Sequence, residues 1–282
     1  MGSAQPLIQR LTALLAKCDL ETEVITKVGQ LGERSLECQR VNGLRAVVAA
    51  GGDGTVALVA NTTPVGTPIS AMPLGTENLL SKYLGLTAKP EDVCQTVCQG
   101  APLRLDAGEA DGRLFLLMAG CGFDADVVQR LHGQRRGNIR HLAYAKPILD
   151  SIRNYDYPEL RVFLEDDSGE LGEPLISRWV FVANLPKYAA GLQIAPDARA
   201  DDGLLDVCTF KRGSFWNGIR YLGGVILGRH RSFEDCRTMH CRRLRIESDR
   251  PVPFQLDGDP GGMLPVEIRV LPRRLTLLTP AA

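Results

Sequence analysis

No stretch of this 282-residue chain approaches the roughly 18 consecutive apolar residues that a membrane-spanning helix needs. Nor is there an excess of either charge: 33 basic residues face 33 acidic ones, so no net field steers the whole chain onto nucleic acid. The eight cysteines are scattered, without a Cys-x-x-Cys pair or a histidine at metal spacing, which argues against a zinc ribbon or a dithiol redox centre. No signal-peptide pattern, internal repeat or low-complexity linker is read. These absences favour a cytoplasmic setting with reduced thiols, in which the sequon Asn61-Thr62-Thr63 stays idle.

The length suits one large domain or two ordinary ones. The longest apolar run, Phe215–Leu227, is interrupted by Asn217, Arg220 and three glycines; a buried helix is the favoured reading and an interfacial one the alternative. Arginines gather at Arg135-Arg136 and between Arg237 and Arg245. Solvated faces explain such clusters more often than partners do, although a basic rim also suits lipid headgroups or ATP. Cys94 and Cys98 fall four residues apart on an expected helix and read as small core-side residues.

Along the chain, residues 7–17 have the spacing of an amphipathic helix, 23–26 that of a short strand and 29–40 that of a second helix. A buried strand at 46–50 runs into Gly51-Gly52-Asp53-Gly54-Thr55 and a helix from Val56. A further strand at 68–74 runs into Gly75-Thr76-Glu77-Asn78 and a helix from Leu79. This alternation predicts a parallel, doubly wound α/β domain over 1–102. Beyond Pro102, short strands at 113–120, 160–165, 178–184, 204–210, 241–247, 252–257 and 266–278, with helices near 138–153 and 214–228, predict a β-sandwich domain over 103–282.

The chemistry concentrates in four places. A glycine turn between a parallel strand and a helix start lets backbone N–H groups approach an anion, and the helix dipole favours the negative charge. Gly51, Gly52, Asp53, Gly54, Thr55 and Val56 form one such turn; Gly75, Thr76, Glu77 and Asn78 form a second, so the two can clasp one nucleotide. Asp53 would repel phosphate unless it handled a proton or a metal, which points to phosphoryl transfer. The segment from Pro196 to Asp206, with Asp201-Asp202-Gly203, is either an Asx turn or a set of hard oxygen ligands for Mg²⁺. Asp257-Gly258-Asp259 is, on composition alone, a hairpin turn.

Taken in order, Gly51-Gly52-Asp53-Gly54-Thr55, Pro73-Leu74-Gly75-Thr76-x-Asn78, Gly120-x-Gly122-Phe123-Asp124-Ala125, the segment from Pro196 to Asp206 and Asp257-Gly258-Asp259 resemble the diacylglycerol kinase catalytic family. Within it they resemble bacterial lipid kinases related to sphingosine kinases, across roughly residues 7–280. The resemblance implies an N-terminal α/β nucleotide domain, a C-terminal β-sandwich and an active site in the cleft between them. It implies ATP contacts from Gly51–Val56 and Thr76, with Thr26 close by. It implies Mg²⁺ held by Asp202 and the backbone carbonyls of Arg199 and Leu204, an ion regarded in the family as structural. It implies a general base at Asp259, with Asp53 holding the catalytic Mg²⁺ or sharing the proton work. The lipid substrate would be met at a membrane surface by a peripherally associated enzyme of phospholipid metabolism, and kinases of this group often pair as homodimers.

Three departures stand out. Asp259 occupies the place of a glutamate, Leu79 stands where many members carry an acid that Glu77 would have to replace, and the strand and Asn-Pro-x-x-Gly loop that open other members are missing before Met1. The expectation is that the natural protein starts upstream. The leading reading is an ATP-dependent lipid kinase acting on a diacylglycerol-like or sphingoid hydroxyl. An NAD kinase shares Gly-Gly-Asp-Gly-Thr, and a catalytically weakened nucleotide- or lipid-binding protein is the reading from a different class.

Overall fold

The computed structural model describes residues 4–132, 150–151, 153–166 and 168–281. It divides into two compact units, one of residues 1–106 with 273–282, the other of residues 107–272.

Unit 1 contains the helices α1 (Gln5–Ala16), α2 (Val28–Arg40), α3 (Asp53–Thr62), α4 (Leu79–Tyr83) and α5 (Pro90–Gln99). The strands β1 (Val47–Gly51) and β2 (Pro68–Pro73) pair in parallel, Val47 opposite Ile69 and Gly51 opposite Pro73. Side chains alternate across these strands. Val48, Ala50 and Met72 pack with Leu11 and Leu15 of α1 and with Val93, Cys94 and Val97 of α5, while α3 packs on β1 and β2 and α2 packs on α3. Cys94 and Cys98 therefore sit on the core side of their helix. No strand forms at 23–26: a strand needs a ladder partner, and Val24 is 62% exposed in an irregular segment.

The chain leaves unit 1 midway along β3 (Ala101–Ala110). Unit 2 contains β4 (Arg113–Phe115), β5 (Met118–Gly122), α6 (Phe123–His132), β6 (Leu160–Leu164), β7 (Leu175–Ser177), β8 (Trp179–Ala183), β9 (Lys187–Tyr188), β10 (Leu192–Gln193) and β11 (Leu205–Phe210). It continues through α7 (Phe215–Ile226), β12 (Cys236–Cys241), β13 (Arg243–Glu247), β14 (Pro253–Leu256) and β15 (Asp259–Met263) into β16 (Val266–Thr279). One sheet has the order β12-β11-β8-β5-β14-β15, antiparallel throughout. Facing it, β13 pairs with the first half of β16 and with β6, and β6 with β7. The expected helix near 138–153 falls mostly outside the described residues.

Alternate residues of both layers make one core: Cys121, Val180, Val182, Leu205, Val207 and Phe254 from the first sheet, Leu160, Val162, Leu244, Ile246 and Ile268 from the second. The other face of the first sheet presents Trp179, Phe181, Cys208 and Phe210 to α6 and α7. β8 and β11 are thus buried on both faces, which is why β8 reads as an unbroken apolar run and β11 as one interrupted only by Asp206 and Thr209.

The last strand was expected wholly in the second domain; the structure returns residues 273–282 to unit 1, where Thr276 and Leu277 pair in parallel with Pro68 and Ile69. At the point of return Arg273 has φ 53°, and its N–H donates to the buried Asp106 at 2.7 Å.

Candidate active site

In unit 1, β1 ends at Gly51, and Gly52 caps α3, its carbonyl accepting from the N–H groups of Thr55 and Val56 at 2.9 and 3.2 Å. Leu74 N–H donates to the Gly51 carbonyl at 2.9 Å, so the two glycine turns leave the sheet side by side. Their contact is a backbone one. A Cβ on Gly75 would lie 2.5 Å from Gly52 Cα and 2.8 Å from Asn78 Oδ1, and a Cβ on Gly51 would lie 2.1 Å from Thr55 Oγ1. Gly54, in the first turn of α3, has open space where a Cβ would go. Gly51 and Gly75 are therefore needed by the fold, and Gly54 leaves open space at the helix N-terminus.

Asp53 joins the turns. Its Oδ2 accepts from Leu79 N–H at 2.8 Å and its Oδ1 from Leu80 N–H at 3.0 Å, capping α4 from 26 positions earlier in the chain. Asn78, at φ 51°, closes the second turn: its Oδ1 accepts from Gly75 N–H at 3.0 Å and its Nδ2 donates to the Gly75 carbonyl at 2.8 Å. Leu79 is buried, Glu77 half-buried and Thr76 exposed. Thr26 is exposed in the irregular segment before α2. The structure thus brings Gly51–Val56 and Gly75–Asn78 together. It gives Asp53 a bracing role that spacing could not reveal, while each carboxylate oxygen keeps a lone pair for a cation.

In unit 2, Asp257 (φ 53°) and Gly258 (φ 86°) form the two-residue turn between β14 and β15, with Leu256 opposite Asp259. Left-handed backbone is costly for a non-glycine residue. Here the Asp257 carboxylate offsets it by accepting from the N–H groups of Leu116, Leu117 and Met118 at 2.7, 2.8 and 3.0 Å. The hairpin reading and the functional one are therefore compatible: the turn presents Asp259 at its far side. The Asp259 side chain is 41% exposed, and its Oδ2 lies 3.9 Å from Arg113 Nη2. Arg113 also donates to the Pro260 carbonyl at 2.9 Å.

A second acid lies behind that turn. Asp124, in the first turn of α6, accepts from Gln255 Nε2 at 2.8 Å and from the Tyr188 hydroxyl. Gln255 Oε1 in turn accepts from Gly258 N–H at 2.7 Å. Burial pushes the Asp124 carboxyl up to about 6, outweighing the two hydrogen bonds that favour its ionised form. Gly120 makes the room: a Cβ there would lie 2.3 Å from Asp124 Oδ2. The motif Gly120-x-Gly122-Phe123-Asp124 held this signal, but only the fold puts Gln255 and Tyr188 beside it.

The loop from Pro196 carries the candidate metal ligands. Asp202 is exposed, its Oδ1 accepting from Leu204 N–H at 3.0 Å around Gly203 at φ 75°. This is an Asx turn, one of the two readings the composition of the segment allows. Among the described residues the one compact group of side-chain ligands is different: Cys18, Cys94 and Cys98, within 4.8 Å of one another in unit 1.

Residues 1–110 match the diacylglycerol kinase catalytic domain, and residues 118–279 match the YegS C-terminal NAD kinase beta sandwich-like domain. A Synechocystis protein of unassigned function is 25% identical over 268 residues, covering 93% of this chain; this chain spans 60% of that relative's length. The diacylglycerol kinase of Bacillus subtilis (strain 168) is 26% identical over 241 residues, 83% of this chain and 77% of that one. Among solved structures, a candidate diacylglycerol kinase from Bacillus anthracis str. Sterne superposes with a TM-score of 0.72 at 21% identity, covering 99% of this chain and 92% of that one. An NAD kinase from Archaeoglobus fulgidus in complex with ATP superposes at 0.54 with 13% identity, over 97% and 89%. The two structural likenesses establish the fold, an α/β unit with a β-sandwich unit. With its two domain matches in order, the chain belongs to the diacylglycerol kinase and YegS-like lipid kinase family, as its motifs led one to expect.

Proposed function

We propose that this protein transfers the γ-phosphoryl group of ATP to the hydroxyl of a diacylglycerol-like or sphingoid lipid at a membrane surface. The observation that carries the reading is the pair of interlocked glycine turns with Gly54 left open at the start of α3. Phosphate oxygens fit there against backbone N–H groups and the positive end of a helix dipole. Thr76, Glu77 and Asn78 line the second turn, and Thr26 contributes from the segment before α2.

Such a reaction asks little covalent chemistry of the protein; positioning and charge stabilisation dominate. As the lipid oxygen bonds to the γ-phosphorus and the bond to the ADP oxygen breaks, Asp259 accepts the hydroxyl proton and passes it to water. Its partial exposure and the long 3.9 Å approach of Arg113 suit a side chain that must meet a substrate. Asp124, with a carboxyl near 6, offers a polar anchor for a hydroxyl or amine on the lipid head. Asp202 with the Arg199 and Leu204 carbonyls would hold a structural Mg²⁺. Asp53 keeps the two turns in register, and its remaining lone pairs suit the cation of ATP. Bound Mg²⁺ supplies charge neutralisation for the phosphates.

The test is a panel of phosphoryl acceptors with γ-labelled ATP and Mg²⁺: diacylglycerol and a sphingoid base in mixed micelles, and NAD. Labelled lipid is expected. Labelled NAD, or nucleotide binding with no labelled product on any acceptor, would overturn the reading in favour of an NAD kinase or a binding protein.

A further inference from the structure

The helix α7 has two apolar faces, and the fold uses one. Gly218, Tyr221, Gly224 and Val225 are buried. Tyr221 packs at a tilt 4.4 Å from Phe210 and meets Trp179 edge-on at 5.5 Å, and its hydroxyl donates to Asp235 at 2.5 Å. Arg220 grips the same Asp235 with two bonds, at 2.8 and 3.1 Å, and lies 4.3 Å over the Phe233 ring. Ser214 caps the helix by accepting from Asn217 N–H. The helix is held firmly against unit 2.

On the opposite arc, Trp216 is 78% exposed, Ile219 39%, Ile226 61% and the following Leu227 70%. Positions 216, 219, 223, 226 and 227 share one face at 3.6 residues per turn, and Gly223 among them has open space beside it. Single exposed apolar residues are normal. A stripe of four, led by a tryptophan, along a rigidly anchored helix is not accounted for by packing. The helix itself carries no acid. Exposed Lys211 and Arg212 precede it and exposed Arg229 follows it. The nearby Asp235 is buried and engaged by Arg220 and, at 3.5 Å, by Arg212, whose side chain stays 64% exposed; Glu234 is the exposed acid beside it.

Resting on the reading of the protein as a lipid kinase, we propose that this face of α7 is its membrane-docking surface. Trp216, Ile219, Ile226 and Leu227 enter the headgroup–acyl boundary, and Lys211, Arg212 and Arg229 lie against anionic headgroups. The pattern is that of an interfacial helix: an apolar stripe, an indole suited to the boundary, and basic residues at the rim. A second copy of the chain fits less well. Two-fold pairing of this face in the antiparallel sense sets Lys211 and Arg212 of one copy beside Arg229 of the other, and parallel pairing sets like charge on like charge.

Trp216 also provides the probe, since the chain's other tryptophan, Trp179, is buried. In a Trp179→Phe background, titration with vesicles of phosphatidylcholine containing about a third phosphatidylglycerol, free of diacylglycerol, is expected to shift Trp216 emission to the blue. Pure phosphatidylcholine vesicles are expected to do so weakly. Sedimentation with the anionic vesicles should fall at least tenfold in Leu227→Ser combined with Trp216→Ala, and severalfold in Lys211→Glu combined with Arg229→Glu, with melting temperatures unchanged. Phosphorylation of a water-soluble short-chain diacylglycerol should be unaffected by these variants, and that of long-chain diacylglycerol in vesicles should fall. Vesicle binding that is indifferent to all four substitutions overturns the proposal while leaving the kinase reading intact. So does a dimer in solution that Trp216→Ala dissociates. Binding that depends on α7 with no acceptor phosphorylated in either form overturns the kinase reading instead.

Discussion

Asp124 is an acid that the folded protein prefers to keep protonated, so replacing it should raise stability at neutral pH. Its carboxyl is pushed from an ordinary 3.8 to about 6 by burial. A group whose value is raised on folding stabilises the fold below its unfolded value, and that contribution is lost as pH rises through the folded one. The wild-type protein should therefore lose stability from pH 4 to about pH 7, by at most about 3 kcal/mol from this group, at 1.36 kcal/mol per pH unit. Asp124→Asn keeps an acceptor for Gln255 Nε2 and removes the ionisation. It should match the wild type near pH 4 and exceed it at pH 7.5. Urea unfolding followed by intrinsic fluorescence suits the test, because both tryptophans, Trp179 and Trp216, belong to unit 2 and report on the unit that holds Asp124. A variant less stable than wild type at pH 7.5, and equal to it at pH 4, would show that the Gln255 and Tyr188 hydrogen bonds hold an ionised carboxylate and that burial is the smaller effect.

Two paired predictions address the turns. Gly75→Ala forces a Cβ to within 2.5 Å of Gly52 Cα, so the fold should lose about 1–3 kcal/mol and nucleotide affinity with it, read by thermal melting and titration of a fluorescent ATP analogue. Gly54→Ala meets open space and should gain up to about 1 kcal/mol of helix stability while still weakening nucleotide binding; unchanged affinity would mean that phosphate does not approach α3 there. In unit 2, Asp257→Ala strands the N–H groups of Leu116, Leu117 and Met118 and should cost about 2–4 kcal/mol in urea unfolding, with Asp257→Asn recovering part of it.

Sequence periodicity located the strands with a clear apolar run or alternation, β6, β8, β11, β13 and β16 among them, and missed those without one. β8 and β11 are buried along their whole length, so the apolar run of β8 and the mostly apolar β11 stand out. β12, an edge strand reading Cys-Arg-Thr-Met-His-Cys, carries no such run and was invisible. The segment at 23–26 had the composition of a strand but no neighbour to pair with, and composition does not supply one. Strand β16 was found at nearly its full length, yet its passage between units depends on the parallel pairing with β2, which no local pattern encodes. The same division holds at the candidate site. Gly51–Asn78 could be read because the turns are dense in glycine. Asp53 as a cap for α4, Asp257 as the anchor of 116–118 and Asp124 beside Gln255 each join residues far apart in sequence, so only the folded chain reveals them.

In the proposed mechanism, phosphoryl transfer from ATP to a lipid hydroxyl uses Asp259 as the base. Asp259→Asn should be structurally mild, since the side chain is 41% exposed and its distance to Arg113 is 3.9 Å. The direct measurement is the rate of labelled lipid formation from γ-labelled ATP and Mg²⁺ by wild type, Asp259→Asn and Asp259→Glu, with ATP-analogue affinity measured on the same samples. The expected outcome is lipid product from wild type, a loss of at least a hundredfold in Asp259→Asn with nucleotide affinity kept, and activity in Asp259→Glu. Equal rates for wild type and Asp259→Asn, or no lipid product from wild type despite tight ATP binding, would contradict it.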